Sequence, residues 1–180
     1  MDFKELWFQA TPWRDYLRPG MEAYDLWRGN FERAVVPEWA IEAFRQTRLR
    51  RLLVLAADWC SDAANTVPLL ARLAELLEGV ELRILERDQF PRVMEQYLTN
   101  GSRSVPIAIS LDEEWRELSD WGPRPVALQA WMLANKANVP TPRRYAYARK
   151  WYASDKGETA LRELLDGVAA RTPTRSPSRR

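Results

Sequence analysis

The apolar positions of this chain alternate between a helical period and a strand period. Phe3, Leu6, Trp7 and Ala10 have helical spacing, and Pro19-Gly20 marks a turn after them. From Met21 to Ala34 the apolar positions Ala23, Tyr24, Leu26, Trp27 and Phe31 predict a second helix. Tyr24, Trp27 and Phe31 share one face of it, and Gly29 interrupts the pattern. Pro37 breaks the run, and 38–47 predicts a third helix with Trp39, Ile41 and Phe44 inward. Leu52 to Ala57 is then unbroken and apolar, the length of a strand covered on both sides. Ser61 to Glu78 returns to helical spacing. Val67, Leu70, Ala74 and Leu77 share a face, and Gly79 is a natural stop. Pro68 lies inside this helix, where it removes one hydrogen bond and crowds the carbonyl of Ala64.

Val80 to Glu86 alternates, with Val80, Leu82 and Ile84 against Glu81, Arg83 and Leu85, and predicts a second strand. Pro91 opens a short helix packed by Val93, Met94, Tyr97 and Leu98, ended by Asn100-Gly101. Strand, helix and strand make a βαβ unit with a right-handed crossover. Ile107 to Leu111 predicts a third strand, Asp112-Glu113 a tight turn, and Glu114 to Ser119 a fourth strand. Strands joined so closely run antiparallel, so the sheet is mixed. Trp121 to Pro125 is a rigid loop. Helices follow over 126–137, from Thr141-Pro142 to about Ala153, and from about Asp155 to Ala170. The pattern predicts an α/β fold: a central mixed four-stranded sheet flanked by helices, with helical extensions at both ends.

The chain has 180 residues, a length that suits one domain with a proper core, here expected over 1–170. A hydrophobic fraction of 46% and a charged fraction of 29% are ordinary for a globular protein. The net charge of +2 implies no strong field, and neither a nucleic-acid nor a membrane partner is expected. Much of the excess lies in the Pro/Ser/Arg-rich tail 171–180, which has little to bury and reads as disordered. No apolar run approaches the about 20 residues of a membrane span, and no secretion signal opens the chain. A reducing cytoplasm is the expected location. The nine tryptophans are scattered, without a repeat.

The absence of histidine removes Ser-His-Asp, Cys-His and His-rich zinc chemistry from consideration. With one cysteine there is no internal disulfide. That cysteine, Cys60, sits where the apolar run 52–57 passes into a helix. Helix N–H groups and the dipole favour a thiolate there. Asp62, two residues on, opposes it by like charge if it lies close. Two readings remain open: a reactive monothiol, or an inert, partly buried thiol.

The order of motifs around Cys60 resembles the thioredoxin family. Trp59-Cys60 ends a strand, and Pro68 falls eight positions beyond the cysteine inside the next helix. Asp88-Gln89-Phe90-Pro91 is similar to the loop after the family's following strand, and Val105-Pro106 precedes a β-hairpin. This likeness covers roughly residues 38–122. Residues 1–37 and 123–170 form the helical extensions. A nearer likeness is to the YtpP-type bacterial proteins, carried by Trp59-Cys60-Ser61-Asp62, Leu82 to Asp88, Tyr97 to Pro106, Trp121 to Pro125, and Trp151 to Gly157. Two positions depart from thioredoxins. Ala63 stands where the resolving cysteine would be, and Val54 where a buried acid would be.

The resemblance implies a thioredoxin-like fold and a site made of Cys60 as nucleophile with Trp59, Ser61, Asp62 and Ala63 beside it. It implies a cis Pro106 facing the sulfur, with the backbone of Val105 pairing with a partner chain. Arg103, three residues before Pro106, is expected to border the thiol. There it would pair with Asp62, hold the anionic end of a thiol cofactor, or serve as a solvated or structural arginine. Arg124 has the same alternatives. Trp59 and Trp121 are expected as apolar walls. Tyr145, Tyr147, Trp151 and Tyr152 either line a groove or, as their helical spacing favours, pack among themselves. The implied function is monothiol thiol–disulfide exchange through Cys60. No cofactor is bound, and a low-molecular-weight thiol acts as external reductant. The partners are protein or small-molecule thiols and disulfides. The alternative is a redox-inactive binding or scaffold protein of the same fold.

Overall fold

The computed structural model describes residues 1–170; the basic tail expected over 171–180 lies outside the described residues. In chain order the elements are α1 (Phe3–Gln9), β1 (Thr11–Pro12), α2 (Trp13–Tyr16), α3 (Tyr24–Arg33), α4 (Glu38–Arg45), β2 (Arg51–Ala56) and α5 (Ser61–Leu76). They continue with β3 (Glu81–Glu86), α6 (Pro91–Met94), β4 (Ile107–Leu111), β5 (Glu117–Trp121), α7 (Val126–Ala134), α8 (Thr141–Asp155) and α9 (Glu158–Ala170).

The sheet is ordered β1-β3-β2-β4-β5. β2 lies at its centre, parallel to β3 with Val54 opposite Ile84, and antiparallel to β4 with Val54 opposite Ala108. That position explains the unbroken apolar run, since Leu52, Leu53, Val54, Leu55 and Ala56 are all fully buried. α5 packs on β2 and β3, α3 along α5, and α9 on β5 and α4.

The α/β class and the mixed sheet agree with the pattern, but the sheet has five strands, not four. The fifth, Thr11–Pro12, pairs antiparallel to β3 with Thr11 opposite Ile84. Two residues carry no readable alternation, and Pro12 is tolerated because β1 is an edge. The expected helix over 21–34 begins only at Tyr24, because Ala23 is in the left-handed region at φ 55°.

β5 starts at Glu117, three positions later than expected. The Asp112 carboxylate organises a longer turn by accepting the N–H groups of Glu114 and Arg116 at 3.0 and 2.9 Å. Trp115 turns the chain there at φ 65°. The last helix starts at Glu158, after Lys156 and Gly157 reverse the chain at φ 53° and 83°.

The first 37 residues are built into the core. Trp7, Trp13, Tyr16 and Trp27 are buried in the same apolar cluster as the sheet. α3 also answers the defect that Pro68 makes in α5. Proline has no N–H to offer the carbonyl of Ala64, and Asn30 on α3 donates its side-chain N–H to that oxygen at 2.8 Å. A second, separate cluster joins α7 and α8 through Leu128, Met132, Ala148 and Tyr152.

Candidate functional site around Cys60

Cys60 is the N-cap of α5, at the end of the turn that leaves β2. The loop before it is fixed from α3: the Trp27 indole N–H donates to the Asp58 carbonyl at 2.8 Å. The Asp58 carboxylate accepts the N–H of Glu22 at 2.9 Å. The Cys60 thiol is 7% exposed. Its S–H donates to the carbonyl of Val105, with Sγ and O 3.3 Å apart. The backbone N–H groups of Ala63 and Asp62 also act on the sulfur, favouring its charged form.

The Val105–Pro106 peptide bond is cis, as is Gly122–Pro123. Gly122, at φ 135°, lies against Pro106, and a Cβ built on it would fall 2.1 Å from the Pro106 carbonyl oxygen. Only glycine permits that approach. It brings the loop after β5 over the start of α5 and places Arg124 beside Asp62.

Asp62 is buried, 3% exposed, and its two oxygens are divided between two donors. Arg124 Nη2 reaches Oδ2 at 2.5 Å, and the Tyr152 hydroxyl donates to Oδ1 at 2.9 Å. The second Nη of Arg124 donates to Gln129 at 2.7 Å. The charged pair is thus taken from water but hydrogen-bonded, which a buried carboxylate requires.

The electrostatics of the sulfur follow. Burial pushes the Cys60 thiol above its ordinary 9.0, and the Asp62 charge pushes the same way. The N–H groups of Ala63 and Asp62 and the Arg124 charge pull down without cancelling this. Burial and the neighbouring Asp62 carboxylate together raise Tyr152 well above the usual phenol range. Burial works against the charge of Arg124, but Asp62 outweighs it and keeps the guanidinium protonated.

The other expected site residues fall as follows. Ala63 and Val54 are fully buried, so the apolar side chains that stand in for a second thiol and an acid are core. The Ser61 carbonyl accepts the Asn65 side chain at 2.7 Å. Trp59 is 47% exposed, with the Arg87 guanidinium 4.8 Å from its ring centre. Trp121 is buried, and its indole N–H donates to Glu163 on α9 at 2.8 Å.

Arg103 does not pair with Asp62. It is bound to Glu95 at 2.8 Å, both side chains about half exposed. Its own carbonyl accepts Arg87 Nη1 at 3.2 Å. Arg124 takes the place at Asp62, because Gly122 draws its loop inward while the loop of Arg103 faces α6. Among the groove-or-packing aromatics, Tyr147 stacks on Trp131 at 3.7 Å, and Trp151 meets Tyr152 edge-on at 5.6 Å. The reach of Tyr152 to Asp62 had no signal in sequence, since nothing local joins positions 90 apart.

Among the described residues no group of three or more His, Cys, Asp and Glu is placed to hold a metal. No helix among them is long and apolar enough to cross a membrane.

A thiol at a helix start, facing a proline-preceded strand in a mixed sheet, defines a protein of the thioredoxin class. A family model described as thioredoxin matches residues 15–141, and the chain belongs to that family. No curated protein matches the chain. Among solved structures, a protein of unknown function from Pseudomonas aeruginosa is similar with a TM-score of 0.74 at 20% identity. The match covers 94% of this chain and 98% of that one. An HIV epitope-scaffold is similar with a TM-score of 0.69, also at 20% identity, over 94% of this chain and 99% of its own. These likenesses concern the fold.

Proposed function

We propose that this protein carries out monothiol thiol–disulfide exchange at Cys60. The observation that carries the proposal is the placement of the sulfur. It sits at the first turn of α5, where the N–H groups of Asp62 and Ala63 favour its charged form, and lies 3.3 Å from the Val105 carbonyl beside Pro106. A partner backbone pairing with Val105 would arrive next to the sulfur. The pattern Trp59-Cys60-Ser61-Asp62 supports a place among the YtpP-type single-cysteine relatives, and a reducing, cytoplasmic setting suits a lone thiol.

The exchange balances without a second protein thiol. Cys60 loses its proton to solvent, and the thiolate attacks one sulfur of a disulfide R–S–S–R′. The Cys60–S–S–R bond forms and R′–S⁻ leaves, taking up a proton from water. A low-molecular-weight thiol, as thiolate, then attacks the R sulfur. It forms a new mixed disulfide with R and returns the Cys60 thiolate. The co-reactant is that external thiol.

Incubation of the full chain with glutathione disulfide tests this. One glutathione adduct on Cys60 by mass, lost in Cys60→Ser and reversed by glutathione, is the expected result. No adduct on the folded protein at pH 9 to 10 would sink the proposal. A second reading, a redox-inactive binding protein, is favoured by the 7% exposure of Cys60 and the upward push on its thiol. It requires partner binding that survives Cys60→Ser unchanged.

A further inference from the structure

Asp62 is the one carboxylate buried at the start of α5, and neither of the side chains that hold it belongs to that helix. Arg124 comes from the loop after β5 and meets Oδ2 at 2.5 Å. Tyr152 comes from α8 and meets Oδ1 at 2.9 Å. Both oxygens are thus engaged, and the side chain is fixed two residues from the sulfur. We infer that Asp62, clamped between Arg124 and Tyr152, is a positioning residue whose fixed charge adds to burial in holding Cys60 as the thiol. The inference deepens the exchange proposed for Cys60 and rests on that reading for its purpose, though not for its geometry.

The argument is electrostatic. Forming a thiolate at Cys60 places a second negative charge in the turn that already holds the Asp62 carboxylate. In a site shielded from water that repulsion is little screened. The groups facing the pair are Arg124 from the β5–α7 loop and Tyr152 from α8, with Tyr145 also acting on Arg124. Of these only Arg124 is a cation, and its charge is already committed to Asp62. The sulfur is left with the helix N–H groups and the Val105 carbonyl, and that carbonyl accepts a hydrogen bond only from the protonated form.

The clamp is tied to a unit that packs apart from the sheet. Tyr152 is a member of the small cluster with Leu128, Met132 and Ala148, not of the main core.

The test is the pH profile of iodoacetamide alkylation of Cys60 in the full chain, read by mass. In Asp62→Asn the midpoint falls. The rate at pH 7 rises about threefold to tenfold for each unit of that fall, the range reflecting the weaker nucleophilicity of a more acidic thiol. In Asp62→Asn with Arg124→Gln, where two amides replace the ion pair and no unpaired charge is left buried, the midpoint also falls but by less. An unchanged or raised midpoint in the folded double variant overturns the inference, and decides it even where the single variant does not fold. The glutathione assay is read separately. A lowered midpoint without any glutathione adduct removes the exchange reading and leaves the role of Asp62. An adduct with an unmoved midpoint does the reverse.

Discussion

Tyr152 and Asp62 stand 90 positions apart and are joined by a 2.9 Å hydrogen bond in which the phenol donates and the buried carboxylate accepts. Through this contact the C-terminal helices reach the start of α5. Val54 puts an apolar side chain on the central strand where the thioredoxin pattern has an acid. The carboxylate that acts on the sulfur comes instead from the helix that the cysteine opens.

Tyr152→Phe removes that donor and leaves Oδ1 of a buried carboxylate short of one partner. The expected loss is about 1–3 kcal/mol of folding stability, the usual cost of an unsatisfied buried polar group. A lower urea midpoint with an unchanged m-value checks it. An unchanged midpoint would show that water already serves that oxygen.

The thiol of Cys60 makes stability depend on pH in the alkaline range. Its folded value is raised above the ordinary 9.0, so the folded state holds the proton where the unfolded chain has released it. Stability falls wherever the native state binds more protons than the unfolded. The contribution is therefore fully present below about pH 8.5 and is lost as pH climbs towards the folded value. Denaturation measured from pH 8 to 10 shows this downward slope in the native protein. Cys60→Ser removes that part of it, and an identical slope in both would refute the assignment. At pH 7 alkylation of Cys60 is slow and speeds up tenfold per pH unit while the thiol remains mostly protonated.

Gly122→Ala tests how the loop after β5 is held over the site. The added Cβ meets a backbone oxygen of Pro106 at 2.1 Å, and φ is 135°, so the loop must retreat. A destabilisation of about 3 kcal/mol or more is expected from the strained conformation together with the clash. The retreat relieves the burial that is the largest upward push on the thiol, which outweighs the loss of the weaker downward pull of Arg124, so alkylation of Cys60 speeds up. A variant with native stability and native alkylation would show that the loop does not depend on this contact.

The elements around Cys60 were legible because each has a strong local signal. An unbroken apolar run became the central strand, an amphipathic stretch became α5, and Val105-Pro106 stands before β4. The site residues on α5 follow from that frame. What escaped the sequence is long-range or too short to be periodic. Thr11–Pro12 pairs with β3 over two residues only. Arg103 and Arg124 look alike in sequence, and the close approach of Gly122 to Pro106 brings the second to Asp62 while the first pairs with Glu95. Tyr152 looked like one aromatic of a self-packing helix, and only the docking of α8 turns its hydroxyl toward Asp62.

Asn30 supplies the last prediction, because its role depends on a missing hydrogen. Pro68 cannot donate to the Ala64 carbonyl, and Ala64 is fully buried, so the oxygen needs another donor. Asn30 provides it at 2.8 Å. Asn30→Ala is expected to cost about 1–3 kcal/mol by leaving a buried acceptor unmade. Pro68→Ala restores a backbone N–H four residues beyond Ala64 and lets α5 satisfy the carbonyl itself. In that background Asn30→Ala costs less, and the double-mutant cycle yields a coupling of about 0.5–2 kcal/mol. Urea denaturation of the four proteins measures it. An equal cost of Asn30→Ala in both backgrounds would mean that Asn30 acts through packing on α5, not through the carbonyl that Pro68 leaves open.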